Sequence, residues 1–333
     1  MTVDQRPGLS AGRLSRLVRE AVERCALDLS GARVLTEAAS GAYIVTPVIA
    51  ATAGAQVVAV TADSRYGTAE QVETATLALA GRLGVADRIT VTLRRSVEEF
   101  AAADVITNSG HVRPIVGELA AAIRPGAVLC LMFESWEAQA GRLDIDVDTL
   151  RRSGVQIAGT NERHPHVDVF SYLGPMAVAE LADAGVPAYR SRIAVLCDNA
   201  FRDYLVDGLK SAGGEVDVAA ALDGLSTASP DAVLVALQPT GGPVLSAADL
   251  DRIAQRWPDC VLVQFWGDID RAHCPVEMWP VVAPPAGHMG VLPSRPGPDA
   301  VVRLQAGGLK VAEVLLKPPS ERTAQDLEYV DAY

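Results

Sequence analysis

The sequence predicts an α/β protein, a doubly wound parallel sheet followed by a second, smaller α/β domain. Three observations predict it. Short apolar, β-branched runs alternate with helical patterns along nearly the whole chain, and parallel strands covered on both faces appear as continuous apolar runs. Five of those runs end in a polar or charged cluster, as strands do when their carboxyl ends meet along one ligand-binding edge. With 333 residues and 49% hydrophobic composition, the chain can bury two separate cores.

The elements follow in order. Ser10 to Leu29 places Leu14, Leu17, Val18, Ala21 and Val22 on one face, so residues 1–30 are expected to form an N-terminal helix. Strands are expected at Arg33–Ala39, Gln56–Ala62, Arg88–Leu93, Asp104–Ser109, Ala127–Phe133 and Val155–Thr160. Helices between them are clearest at Ile44–Ala53, Ala69–Leu83 and Pro114–Ile123. Helical crossovers force parallel pairing, which makes 31–165 the first domain. Residues 166–188 are expected to form a connecting helix, interrupted near Gly174 and Pro175. A second domain over 189–320 has strands at Arg192–Cys197, Glu215–Ala219, Ala232–Leu237 and Val261–Phe265, with helices at Phe201–Ala212 and Ala247–Trp257. A short strand at Val281–Ala283 and a long helix at Asp299–Leu316 complete it. The tail, 321–333, is expected to dock loosely.

Charge narrows the partners. A balance of 29 basic against 41 acidic residues gives a net charge of -12, which opposes binding to a phosphate backbone, so nucleic acid is excluded as a partner. No apolar run approaches the roughly 20 residues of a membrane span, and no charged-then-apolar leader opens the sequence. Five scattered cysteines without a CxxC pair fit a reducing, cytoplasmic setting. The expected partner is a small molecule, with a homodimer as one assembly option.

The chemistry should lie where the strands end. The first strand leads into "TEAASGAY" (Thr36–Tyr43), where Gly41 lets a phosphate approach the amides of a helix start and Ser40 offers a hydroxyl. Asp63 follows Gly41 by 22 residues, the place of an acidic residue that accepts a ribose 2′-hydroxyl, while Arg65 could meet a 2′-phosphate instead. Thr36, Ser40, Gly41, Asp63, Ser64, Arg65, Asn108 and Ser109 are therefore the candidate cofactor contacts. Proton transfer near neutral pH suits histidine. His111, in "NSGHVRP", has Arg113 beside it to hold a carboxylate, and His288 sits in the Gly-flanked loop "PPAGHMG". Glu134, Glu137 and Glu162 lie on the same strand-end edge, and Trp136 and Trp266 could cover a cofactor ring. His164 and His166 lack further ligands at metal spacing, so no metal is expected, and His273 beside Cys274 is expected to be structural.

Two stretches carry resemblances. Against the short-chain-dehydrogenase pattern T-G-x-x-x-G-x-G, the first turn keeps Thr36 and Gly41 and has Glu37 and Tyr43 in place of two glycines. Pro230–Arg271 with "PPAGHMG" resembles the latter half of the cofactor domain in D-2-hydroxyacid dehydrogenases. Gly267 and Asp270 match in outline and His288 stands at the proton-transferring position, whereas Trp266 replaces the loop's arginine. "LGVADRITV" and "IRPGAVLCLMF" also resemble class I methyltransferases.

These resemblances imply a Rossmann-like first domain and a Rossmann- or flavodoxin-like second one. They imply an oxidoreductase that uses NAD or NADP, with NAD favoured, on a small polar, anionic metabolite held between the domains. In that scheme His288 or His111 moves the proton, and Arg113, with Glu134 nearby, anchors the substrate. A non-redox enzyme that uses S-adenosylmethionine or a nucleotide conjugate, and a binding protein without turnover, are the alternatives.

Overall fold

The computed structural model describes residues 6–134, 144–272 and 275–333. The chain forms two compact units, Met1–Val169 with Gly297–Tyr333, and Phe170–Pro296. This division differs from the one expected from sequence. The long helix, expected with the second domain, and the tail, expected as a separate segment, both belong to the first unit together with the N-terminal helix.

The first segment contains α1 (Ala11–Arg24), β1 (Arg33–Glu37), α2 (Val45–Thr52), β2 (Gln56–Val60), α3 (Ala69–Leu83) and β3 (Ile89–Thr92). It continues with α4 (Val97–Ala102), β4 (Val105–Thr107), α5 (Gly117–Ala122), β5 (Val128–Cys130), α6 (Val147–Arg152) and β6 (Gln156–Thr160). The second unit holds α7 (Leu173–Asp183), β7 (Arg192–Leu196), α8 (Arg202–Ser211), β8 (Glu215–Ala219), β9 (Ala232–Ala236), α9 (Ala247–Arg256), β10 (Val261–Trp266) and β11 (Met278–Trp279). The chain then returns to the first unit as α10 (Asp299–Leu316), α11 (Ala324–Leu327) and β12 (Val330–Ala332).

Sheet order in the first unit is β12-β6-β5-β4-β1-β2-β3, parallel throughout except for β12. Leaving that edge strand aside, the order is 3-2-1-4-5-6, that of a dinucleotide-binding sheet. Alternate residues of β1 enter opposite cores. Val34 joins α1, α2, α3 and α10 on one face, and Leu35 joins Phe100, Ala120 and Leu150 on the other. Both faces are therefore dry, which is why these strands are apolar without alternation.

Local chemistry sets the element ends. Helix α3 keeps its expected bounds because Thr68 and Gln71 close a capping box and Gly84 turns left-handed at φ 72°. The tail does not dock loosely. Strand β12 pairs antiparallel with β6, with Val330 opposite Thr160 and Ala332 opposite Ala158. Lys317 ties Asp326 to Glu313 beneath it. Helix α10 passes close over the sheet at Gly307 and Gly308, where a Cβ would meet Val167 at 2.6 Å and would collide with the Met132 sulfur. No helix among the described residues is long and apolar enough to cross a membrane.

The second unit has a five-stranded parallel sheet ordered β11-β10-β9-β7-β8, the 2-1-3-4-5 order of flavodoxin-like folds. Two expectations are corrected here. The last strand is Met278–Trp279, whereas Val281 and Val282 are exposed and outside the sheet. Gly174 and Pro175 do not interrupt a helix; they sit in the first turn of α7, where proline removes no helical hydrogen bond. Gly174 instead permits contact with α8, because a Cβ there would lie 2.7 Å from the Gly208 backbone.

On α7, Glu180 is 1% exposed and neither of its carboxyl oxygens has a hydrogen-bond partner among the described residues. Burial, reinforced by Asp183, pushes its carboxyl up to about 9. A carboxyl raised on folding contributes stability below its unfolded value, near 4.5, and loses it as pH rises toward 9. Glu180→Leu is thus expected to exceed the wild type in stability at pH 8 by about 1–4 kcal/mol. Urea unfolding at pH 5 and pH 8 checks this: the gap should shrink at the lower pH, and an equal gap would contradict a protonated Glu180.

Candidate functional site

Strand order places the crevice. Helices α2 and α3 pack on one face of the sheet and α4 and α5 on the other, so a switch point opens beyond the carboxyl ends of β1 and β4. From the end of β1, Ala38 to Ser40 form the turn, and a short 3-10 run, Gly41–Ile44, leads directly into α2. Gly41 has φ 70°, and a Cβ there would have nothing within 4 Å. The first amides of such a helical run have no intrahelical acceptor. Together with the open approach at Gly41 they suit an anion or a sugar edge. Ser40 Oγ is buried without a hydrogen-bond partner among the described residues, and Ser40 lines a recess of about 110 Å³ with Leu9, Ile44, Gln71 and Val72.

Glu37, the last residue of β1, turns away from that mouth. Its Oε2 accepts the His111 amide at 2.9 Å and lies 3.4 Å from where a Cβ on Gly110 would stand. Desolvation pushes the Glu37 carboxyl above its usual range, opposed in turn by the His111 amide, the charges of His111 and Arg113, and the Gly110 amide. Burial raises the Tyr43 phenol as well, and Glu37 and Tyr66 add to that rise.

At the end of β4 the polar atoms face inward. A buried hydroxyl chain joins Thr36 to Thr107 at 2.9 Å and Thr107 to Ser109 at 2.7 Å. Asn108 accepts the Met132 amide at 2.8 Å. Arg113 pairs with Asp144 at 2.9 Å, and its Nε is buried without a hydrogen-bond partner among the described residues. At the end of β2, Asp63 Oδ1 accepts the Ala69 amide at 2.8 Å, which steadies the entry to α3. Ser64 and Gly67 close a tight turn, and Arg65 reaches the Tyr66 hydroxyl at 2.5 Å with its guanidinium 4.7 Å from the ring centre.

Other candidates lie further off. Glu134 is buried at the end of β5 and accepts Arg163 at 3.2 Å. His164 stacks on Tyr329 at 3.8 Å, and His166 Nδ1 lies 2.5 Å from the Tyr329 hydroxyl, so both histidines secure the C-terminal strand. His288 is exposed on a loop of the second unit, where Nδ1 meets the Ala286 carbonyl at 3.1 Å. Trp266 is buried there, stacked on Phe201 at 4.8 Å. Trp136, Glu137, His273 and Cys274 lie outside the described residues. The fold thus brings Glu37, Thr36, Asn108, Ser109, His111 and Arg113 to one edge, with Gly41 and Asp63 on neighbouring turns. Sequence reasoning passed over Tyr66 and Asp144 and took Tyr43 only as a missing glycine.

No protein-family model and no curated protein matches the chain. Solved structures do. One dipicolinate synthase component, from Bacillus halodurans, aligns with TM-score 0.54 at 12% identity over 87% of this chain and 100% of its own. Its counterpart in the dipicolinate synthase of Bacillus subtilis gives 0.52 at 11%, over 90% and 99%. A transhydrogenase from Sinorhizobium meliloti gives 0.50 at 14%, over 85% and 95%. At such identities the likeness is one of fold, and it agrees with the Rossmann-type architecture that the sequence resemblance implied.

Thr107→Val leaves the hydroxyls of Thr36 and Ser109 without their shared partner in a dry site. The variant is expected to lose about 1–3 kcal/mol of stability, measured by urea unfolding. A loss below a few tenths of that range would show that the hydroxyl chain holds nothing together.

Proposed function

We propose that the chain is an NAD(P)-dependent oxidoreductase whose dinucleotide lies at the β1–β4 switch point of the first unit. The observation that carries this reading is the 3-2-1-4-5-6 strand order with its first βα turn opened by the left-handed Gly41. The name of one structural neighbour, a transhydrogenase, supports the same direction. The nicotinamide would supply the hydride chemistry. The chain's residues then orient, exclude water and move a proton. Asp63 keeps one carboxylate oxygen clear of its bond to Ala69, which favours NAD over NADP through a ribose hydroxyl. Of the two candidate proton donors, His111 follows β4 at the switch point itself, and His288 belongs to the second unit. Arg113 would receive a substrate carboxylate in exchange for the half-exposed Asp144.

A second reading has one specific observation in its favour. Glu37 places a carboxylate at the end of β1, which suits a sulfonium or a ribose better than a pyrophosphate, so a non-redox enzyme for an S-adenosyl compound follows on the same scaffold.

NADH titrated into the purified protein, followed by its fluorescence, tests the leading proposal. Saturable binding is expected, with NADH ahead of NADPH. Gly41→Val, which a β-branched side chain makes strained at φ 70°, should weaken NADH by about tenfold or more. Absence of saturable binding of either dinucleotide to the wild type would remove the proposal.

A further inference from the structure

Glu37 stands at the crest of the central strand, where this fold brings a nucleotide closest, yet it repels the phosphates usually found there. Among the described residues no cation donates to it: Arg113 bonds Asp144 and Arg65 bonds Tyr66. What holds it are main-chain amides of the β4 loop, with the His111 N–H at 2.9 Å. That contact fixes one carboxyl oxygen and with it the direction of the whole group. Tyr43 occupies the pattern's last glycine position, and its phenol shares the environment of Glu37 and Tyr66. The end of β1 therefore offers a carboxyl held in place by the β4 loop, an acceptor that hydroxyl groups seek.

We infer that Glu37 is a specificity-determining residue that accepts the vicinal hydroxyls of a ribose, so that the ligand's sugar, and not its pyrophosphate, rests against the end of β1. The inference builds on the proposed nucleotide site at the same switch point. The chemistry it names, a ribose cis-diol, belongs equally to a nicotinamide dinucleotide and to an S-adenosyl compound. Phosphates of a dinucleotide would lie outward, over the amides that begin at Gly41.

The test compares wild type, Glu37→Gln and Glu37→Ala with NADH, S-adenosylmethionine, adenosine and nicotinamide riboside, each nucleoside beside its 2′,3′-dideoxy form. Calorimetry measures the tight ligands and ligand-observed NMR the weak ones. Glu37→Gln keeps an acceptor for the His111 amide, and circular dichroism confirms that each variant is folded. A hydrogen bond to a charged group predicts a loss of about tenfold or more in the best ligand on Glu37→Gln. The preference for a diol over its dideoxy form should hold in the wild type and vanish in Glu37→Gln, a coupling that a purely structural carboxylate would not produce. NADH binding that is unchanged or tighter in Glu37→Gln overturns the inference and leaves the dinucleotide proposal standing. S-adenosylmethionine or adenosine binding that depends on Glu37, with no NADH binding, sustains the inference and removes the dinucleotide. No binding of any of the four to the wild type overturns both.

Discussion

The bond between Glu37 and the amide of His111 determines what the rest of the first unit can do. β1 is the central strand, flanked by β2 and β4, and a carboxylate at its end must find donors or solvent. By turning to the β4 loop, Glu37 leaves the mouth at Gly41 clear and fixes the loop that carries His111 and Arg113. Beneath it the Thr36–Thr107–Ser109 hydroxyl chain ties the same two strands together. The two strand ends at the switch point are thus tied to each other, and Gly41 leaves the first amides of the following helical run open.

The nucleotide site proposed at this turn has one glycine to work with. In a dinucleotide fingerprint the three glycines serve the tight turn, the close approach of the pyrophosphate and the packing of helix on strand. Here the approach is open at Gly41, and Tyr43 fills the place of the last glycine. The second unit has the 2-1-3-4-5 order and an unpaired buried carboxyl at Glu180, a feature of its core and not of its strand ends.

Much of the fold was legible because apolar runs and caps are local signals. The α3 bounds follow from Thr68, Gln71 and Gly84, and the β1 to β6 runs follow from burial on both faces. What was hidden depends on contacts distant in sequence. Residues 330–332 are too short a run to announce a strand, and become one because the edge of β6 is there to pair with. The return of α10 to the first unit rests on Gly307 and Gly308 letting it approach the sheet, and glycine in a helix signals nothing by itself. At the site, Gly41, Asp63, His111 and Arg113 were legible as strand-end residues. The inward turn of Asn108 and Ser109 and the pairing of Arg113 with Asp144 were not, since each needs a partner from another loop.

A crystal structure of the protein grown with NADH tests the central claim most directly. The account predicts density at the carboxyl ends of β1 and β4, with amides near Gly41 facing the ligand and Glu37 still held by the β4 loop. Density confined to some other part of the chain, or Glu37 swung across the Gly41 amides with no nucleotide beside it, would contradict it.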